Sequence, residues 1–192
     1  MGDLNYFDLN KYIESHKVVN FIETGLGGGA GLSYARRFPF KRLFSIEYIE
    51  SIYTAGKEIF SEDPRVTILL GTSVEQLPNI LKELPQEEPI LFWLDAHYPG
   101  ADYKLGTHKD FYEKRIKFPL IEELDIITLN RPLHNDIIIC DDYRIYYKDA
   151  YENGCLPDFA DPRYNELKFP DNYTVEILKN HEGYLVLKGK IN

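Results

Sequence analysis

The stretch Val18-Val19-Asn20-Phe21-Ile22-Glu23-Thr24-Gly25-Leu26-Gly27-Gly28-Gly29-Ala30-Gly31 decides how the rest of the sequence is read. Its first five residues are mostly apolar and rich in β-branched types, which reads as a strand over 18–22. The glycines that follow let the backbone turn tightly and let a ligand approach it closely. Residues 31–38 then show helical spacing, stopped by Pro39. A strand, a glycine turn and a helix form the opening unit of an open α/β sheet that binds its ligand at the turn. The pattern G-x-G-x-x-G would place glycines at 25, 27 and 30. Ala30 takes the last place, and an Ala there is tolerated in dinucleotide sites. No Lys-Ser or Lys-Thr pair follows, so the turn is not a phosphate-cradling P-loop.

Outward from this stretch, short apolar runs alternate with helical periodicity. Helices are expected over 7–17, 48–60, 75–84 and 119–129, and strands over 42–47, 66–70, 90–94 and 137–140. Ser73 is the expected N-cap of the helix over 75–84, with Leu77, Ile80 and Leu81 on one face and Pro78 near its start. The runs Ile90 to Leu94 and Ile137 to Cys140 do not alternate, which fits strands covered on both faces. Residues 173–178 and 184–187, joined across His181-Glu182-Gly183, read as an antiparallel hairpin. Five strands separated by helices imply right-handed crossovers and a mostly parallel sheet with helices on both faces. Two long connections, about 98–118 and 143–171, follow strand ends, where ligands of such sheets bind.

The composition bounds the partners. The chain has 192 residues, with 22 Lys plus Arg against 31 Asp plus Glu, a formal net charge of −9. That argues against nucleic acid and anionic membrane, since both need a basic face. Two cysteines, Cys140 and Cys155, make neither a disulfide framework nor a Cys-rich zinc site. No apolar run approaches the roughly 20 residues of a membrane span, and the N-terminus does not resemble a signal peptide. The expectation is one cytoplasmic domain over residues 1–192.

Glu23 immediately precedes the glycines. A carboxylate there would repel a pyrophosphate and suit a ligand carrying an ammonium group. Glu47 ends the second strand, where an acid can accept hydrogen bonds from both ribose hydroxyls. The bland alternative is a solvated turn with an incidental glutamate.

This arrangement resembles the class I S-adenosylmethionine-dependent methyltransferases. Glu23-Thr24-Gly25-Leu26-Gly27-Gly28-Gly29 matches their first motif and Ser45-Ile46-Glu47 their second. The resemblance spans about residues 18–187. It implies a Rossmann-like methyltransferase fold: a mostly parallel seven-stranded sheet with a C-terminal antiparallel hairpin and helices on both faces. It also implies S-adenosylmethionine bound by Glu23, Thr24, Gly25, Gly27, Gly29, Glu47 and Asp95, with Thr72 and Ser73 against the adenine. Many relatives carry an Asp where Thr72 stands.

The segments Leu94-Asp95-Ala96-His97-Tyr98, Pro119-Leu120-Ile121-Glu122-Glu123-Leu124 and Cys140-Asp141-Asp142-Tyr143 look like the Mg²⁺-dependent small-molecule O-methyltransferases of the macrocin and novobiocin type. By that resemblance Asp95, Asp141 and Asp142 hold a divalent cation. Such a cation relieves carboxylate repulsion and leaves positions open for substrate oxygens. The substrate class implied is a hydroxylated small molecule of carbohydrate or natural-product biosynthesis, such as a sugar or sugar nucleotide. His97 reads either as a general base or as a loop histidine that holds the backbone. Asp141-Asp142 reads alternatively as a turn pair.

Eight of the chain's 15 tyrosines, including Tyr98, Tyr103, Tyr143 and Tyr164, fall in or near the two long connections. They suit carbohydrate or nucleotide-sugar recognition, but a satellite core under the loops or the interface of a homo-oligomer is the plainer reading. Two rival readings remain: an NAD(P)-dependent oxidoreductase on a similar sheet, and a non-catalytic cofactor-binding module. Tyr164 and Lys168 have the Tyr-x-x-x-Lys spacing that the first would use.

Overall fold

The computed structural model describes residues 3–96, 119–132, 135–141, 143, 169, 171–180 and 183–190. After a 3-10 turn at Leu4–Tyr6, the elements run α1 (Leu9–His16), β1 (Asn20–Thr24), α2 (Ala30–Ala35), β2 (Arg42–Glu47), α3 (Glu50–Ile59), β3 (Val66–Leu70) and α4 (Ser73–Glu83). Then come β4 (Ile90–Leu94), α5 (Leu120–Asn130), β5 (Ile137–Cys140), β6 (Tyr173–Leu178) and β7 (Tyr184–Gly189). The strands form one sheet in the order β3-β2-β1-β4-β5-β7-β6. The first five are parallel to one another, and β7 runs antiparallel to both β5 and β6. The expected fold class is thus the observed one.

Alternate residues of a strand face opposite sides of the sheet, and the core divides accordingly. Phe21, Leu43, Leu91, Trp93, Ile139 and Val186 pack with the N-terminal segment, α2 and Phe60 at the end of α3. Ile22, Phe44, Phe92, Leu94, Ile138 and Leu187 pack with Leu77, Ile80 and Leu81 of α4 and with Leu120, Leu124 and Ile127 of α5. Burial on both faces explains the unbroken apolar runs of β4 and β5.

Helix ends shift by one or two residues throughout, and three departures from the expected boundaries bear on the site. β1 spans 20–24 and not 18–22, because parallel pairing continues through Glu23 and Thr24 and the Gly25 amide donates to Ile46 O at 2.9 Å. Glu23 and Thr24 are therefore strand residues on opposite faces. α2 ends at Ala35, three residues earlier than read. The N-cap of α4 is Thr72, not Ser73: Thr72 and Glu75 form a reciprocal capping box, while Ser73 is the helix's first residue.

At the amino end of the sheet, Arg131 and Asp136 are fully buried and paired at 2.5 Å. Asp136 also accepts the Ile90 amide at 2.7 Å, and Arg131 donates to Glu88 O at 2.8 Å. This clasp ties the starts of β4 and β5 together, away from the edge where the site lies.

Candidate ligand site at the carboxyl edge

β1 lies between β2 and β4, and the chain crosses to opposite faces from it. This is the switch point where open α/β sheets form their crevice. The turn after β1 uses glycine where only glycine is cheap: Gly25, Gly27 and Gly29 have φ of +84°, +51° and +76°. A Cβ at Gly25 would also come 2.9 Å from Asp95 O, so the turn presses against the end of β4. A Cβ at Gly28 would meet nothing within 4 Å, so that part of the turn borders open space. Leu26 points down instead, buried against Gly56 of α3.

Glu47 ends β2 beside this turn. Its carboxylate accepts the Gly27 amide at 3.1 Å and the Ile49 amide at 2.7 Å. A carboxylate offers about four lone-pair positions, of which these amides take two, and the residue is 6% exposed. The acid thus fixes the glycine turn at the edge of the sheet.

Glu23 behaves differently from its reading as a charge facing the ligand. It is 1% exposed, on the face covered by α2. The Ser45 hydroxyl donates to it at 2.6 Å, and the Leu32 amide of α2 also bonds it. Burial dominates and pushes its pKa up from 4.5 to about 8, so at neutral pH it is mostly the uncharged acid. A Cβ at Gly31 would sit 2.2 Å from Glu23 Oε1. Glu23 therefore seats the first turn of α2 on the sheet. The expectation that its charge selects between pyrophosphate and ammonium is corrected: the side chain lies under the helix, not at the mouth.

Thr24, the next residue, faces the α4 and α5 side. Its hydroxyl accepts the Asp95 amide at 3.3 Å, and its carbonyl accepts the same amide at 3.1 Å. The Asp141 amide donates to Leu94 O at 3.0 Å. Asp95 and Asp141 thus end neighbouring strands, as read. Asp141 is 4% exposed. Among the described residues no group of three His, Cys, Asp or Glu side chains is placed to hold a metal ion. The third expected ligand, Asp142, and the expected base, His97, lie outside the described residues, as do all the loop tyrosines except Tyr143. Tyr143 is buried in the core on the α5 side. Thr72 spends its hydroxyl on the capping box with Glu75, and Ser73 is buried beside it.

Glu123 of α5 is a further buried acid beside these residues, outside the set expected from sequence. It is 1% exposed, and burial raises its pKa to about 7 against the opposing pull of the Ser73 and Thr24 hydroxyls. A signal existed: Leu120, Glu123, Leu124 and Ile127 share one helical face, so a glutamate occupies a core position.

No family model matches the chain, and no curated protein sequence is significantly similar to it. Its fold has many solved counterparts. A methyltransferase from Podospora anserina, PaMTH1, with S-adenosylhomocysteine bound, aligns with a TM-score of 0.57 at 19% identity over 93% of this chain and 75% of that one. An O-methyltransferase from Bacillus cereus, also in complex with S-adenosylhomocysteine, aligns with a TM-score of 0.59 at 16% identity over 95% and 79%. A provisionally named caffeoyl-CoA O-methyltransferase from Staphylococcus aureus aligns with a TM-score of 0.61 at 18% identity over 98% and 85%. At these identities the likeness defines the class of architecture: a Rossmann-like methyltransferase fold.

Proposed function

We propose that the chain is a S-adenosylmethionine-dependent methyltransferase that O-methylates a small hydroxylated substrate, such as a sugar or sugar nucleotide, with a divalent cation at Asp95, Asp141 and Asp142. One observation carries the reading: a three-glycine turn with positive φ borders open space and is hydrogen-bonded to the carboxylate that ends β2. Support also comes from solved structures of this fold that hold S-adenosylhomocysteine. The inserted antiparallel β7 departs from the six-strand parallel order of dinucleotide-binding sheets, which weakens the oxidoreductase alternative.

In this reading the turn of Gly25, Gly27 and Gly29 lets the backbone approach the cofactor, and Glu47 accepts its ribose hydroxyls. Thr72 and Ser73 border the adenine at the start of α4. Glu23 acts from beneath, by holding α2 and the turn in place, and Thr24 holds the start of the Asp95 segment. S-adenosylmethionine supplies an electrophilic methyl on a sulfonium sulfur. Orienting the accepting oxygen in line with it is the protein's chief task. His97 would take the hydroxyl's proton, and a cation on the three aspartates would lower that hydroxyl's pKa.

Calorimetry on the full chain tests this. S-adenosylhomocysteine should bind and NAD⁺ should not, and Glu47→Ala should weaken the first by about tenfold or more, given hydrogen bonds to a charged acceptor. Binding of NAD⁺ without binding of S-adenosylhomocysteine would overturn the proposal. If methyl transfer proceeds at full rate in excess chelator, the metal part is wrong.

A further inference from the structure

Glu123 is a poor choice for the place it occupies. It sits among Leu120, Leu124 and Ile127, all buried against the sheet, where a leucine would pack without desolvating a carboxyl. A partly satisfied buried polar group is less stable than an apolar one, and Glu123 is such a group: its Oε1 has no hydrogen-bond partner among the described residues. Departures of this kind from core patterning concentrate at functional sites.

Its neighbours say which site. The carboxyl is faced by the hydroxyls of Thr24, the last residue of β1, and Ser73, the first residue of α4. Thr24 Oγ1 already accepts the Asp95 amide. A threonine hydroxyl has one proton to donate, and that proton is left for the carboxyl. Such a donation would extend the Asp95 amide's bond to Thr24 on to the buried carboxyl of Glu123, with Ser73 at its other side. The two segments so joined are those on which the adenosyl ligand of the reading above would rest.

We propose that Glu123 is a positioning residue of the ligand site, tying the carboxyl end of β1 to the first turn of α4 and setting Thr24 and Ser73 beneath the bound adenosyl group. The inference rests on the cofactor reading and adds to it a residue that never touches the ligand. Glutamine, of the same shape and still able to accept from both hydroxyls, replaces it with little loss. Leucine satisfies the core and loosens the floor of the site.

The test measures S-adenosylhomocysteine affinity by calorimetry and thermal unfolding on the wild-type full chain, Glu123→Gln, Glu123→Leu, Thr24→Val and the double variant Glu123→Leu/Thr24→Val. Glu123→Leu should weaken binding by about tenfold while its Tm stays level or rises. Glu123→Gln should stay within about threefold of wild type. Thr24→Val should weaken binding too, and the double variant should lose little more than either single change. Affinity unchanged in Glu123→Leu overturns the proposal. So does a fall in affinity that merely tracks a fall in Tm, since that is what a structural role predicts. If Glu123→Leu does not fold, Glu123→Gln and Thr24→Val still decide: a Glu123→Gln affinity as poor as a tenfold loss, or Thr24→Val binding as wild type, overturns it. Wild type failing to bind S-adenosylhomocysteine is a separate result, which refutes the cofactor reading itself.

Discussion

Gly31 and Glu23 show how closely single atoms are set at the turn. A methyl at Gly31 would overlap Glu23 Oε1, whereas one at Gly28 meets nothing within 4 Å. Gly31→Ala should therefore destabilise the protein by about 1–3 kcal/mol, the usual range for overpacking, while Gly28→Ala should unfold at the wild-type denaturant midpoint. Chemical denaturation of the two variants checks the contrast. Glu23 also predicts a pH dependence. Its folded pKa of about 8 lies above its ordinary 4.5, so the folded state holds a proton that the unfolded chain releases. This contribution is complete below pH 4.5 and is lost as pH rises towards 8. Glu123 acts with the same sign up to about 7. Urea midpoints of Glu23→Gln should fall less steeply across that window than those of wild type. An unchanged slope would show that Glu23 is ionised in the fold.

At the level of the elements, α4 carries the best-defined local signal. Thr72 and Glu75 satisfy each other's backbone amides, so Thr72→Ala should cost about 1 kcal/mol of stability. That loss should be visible by thermal unfolding and separable from any change in ligand affinity. The buried pair of Arg131 and Asp136 is a harder constraint. Asp136→Asn leaves a fully buried guanidinium without its counter-charge and should cost about 3–5 kcal/mol. The pair also secures the Ile90 amide. It anchors β4 and β5 at the amino edge, so that their carboxyl ends can carry Asp95 and Asp141 in fixed register. The sequence showed these elements well because their periodicities are local. β2, β3, β4 and β5 have the boundaries their apolar runs imply. It misplaced the end of β1, because the pairing that extends the strand through Thr24 comes from two distant strands.

For the whole molecule, the sheet order matters more than any one strand. It brings the ends of β1, β2, β3, β4 and β5 to one edge, and with them Glu47, Asp95 and Asp141. A ligand bound there contacts several segments at once and should stabilise the fold as a unit. S-adenosylhomocysteine at about a hundred times its Kd should add about 2.7 kcal/mol, seen as a rise of several degrees in Tm. Among the described residues, no helix is long and apolar enough to cross a membrane.

What the sequence determined by itself is the alternation of strands and helices, the glycine turn and the acids at strand ends. Each depends on short-range chemistry: apolar periodicity, the backbone freedom of glycine, and the position of an acid relative to its own strand. What only the tertiary structure decided is the state and direction of the buried carboxyls. Glu23 and Glu47 look alike in sequence, each an acid at the carboxyl end of an apolar run. Glu23 lies under α2 as a neutral acid, and Glu47 stands at the edge bonded to two amides. Glu123 adjoins Glu122 in sequence, yet it is buried on the side that faces β1 and α4. Burial sets ionisation, and burial depends on which distant segments cover a residue, which no local pattern records.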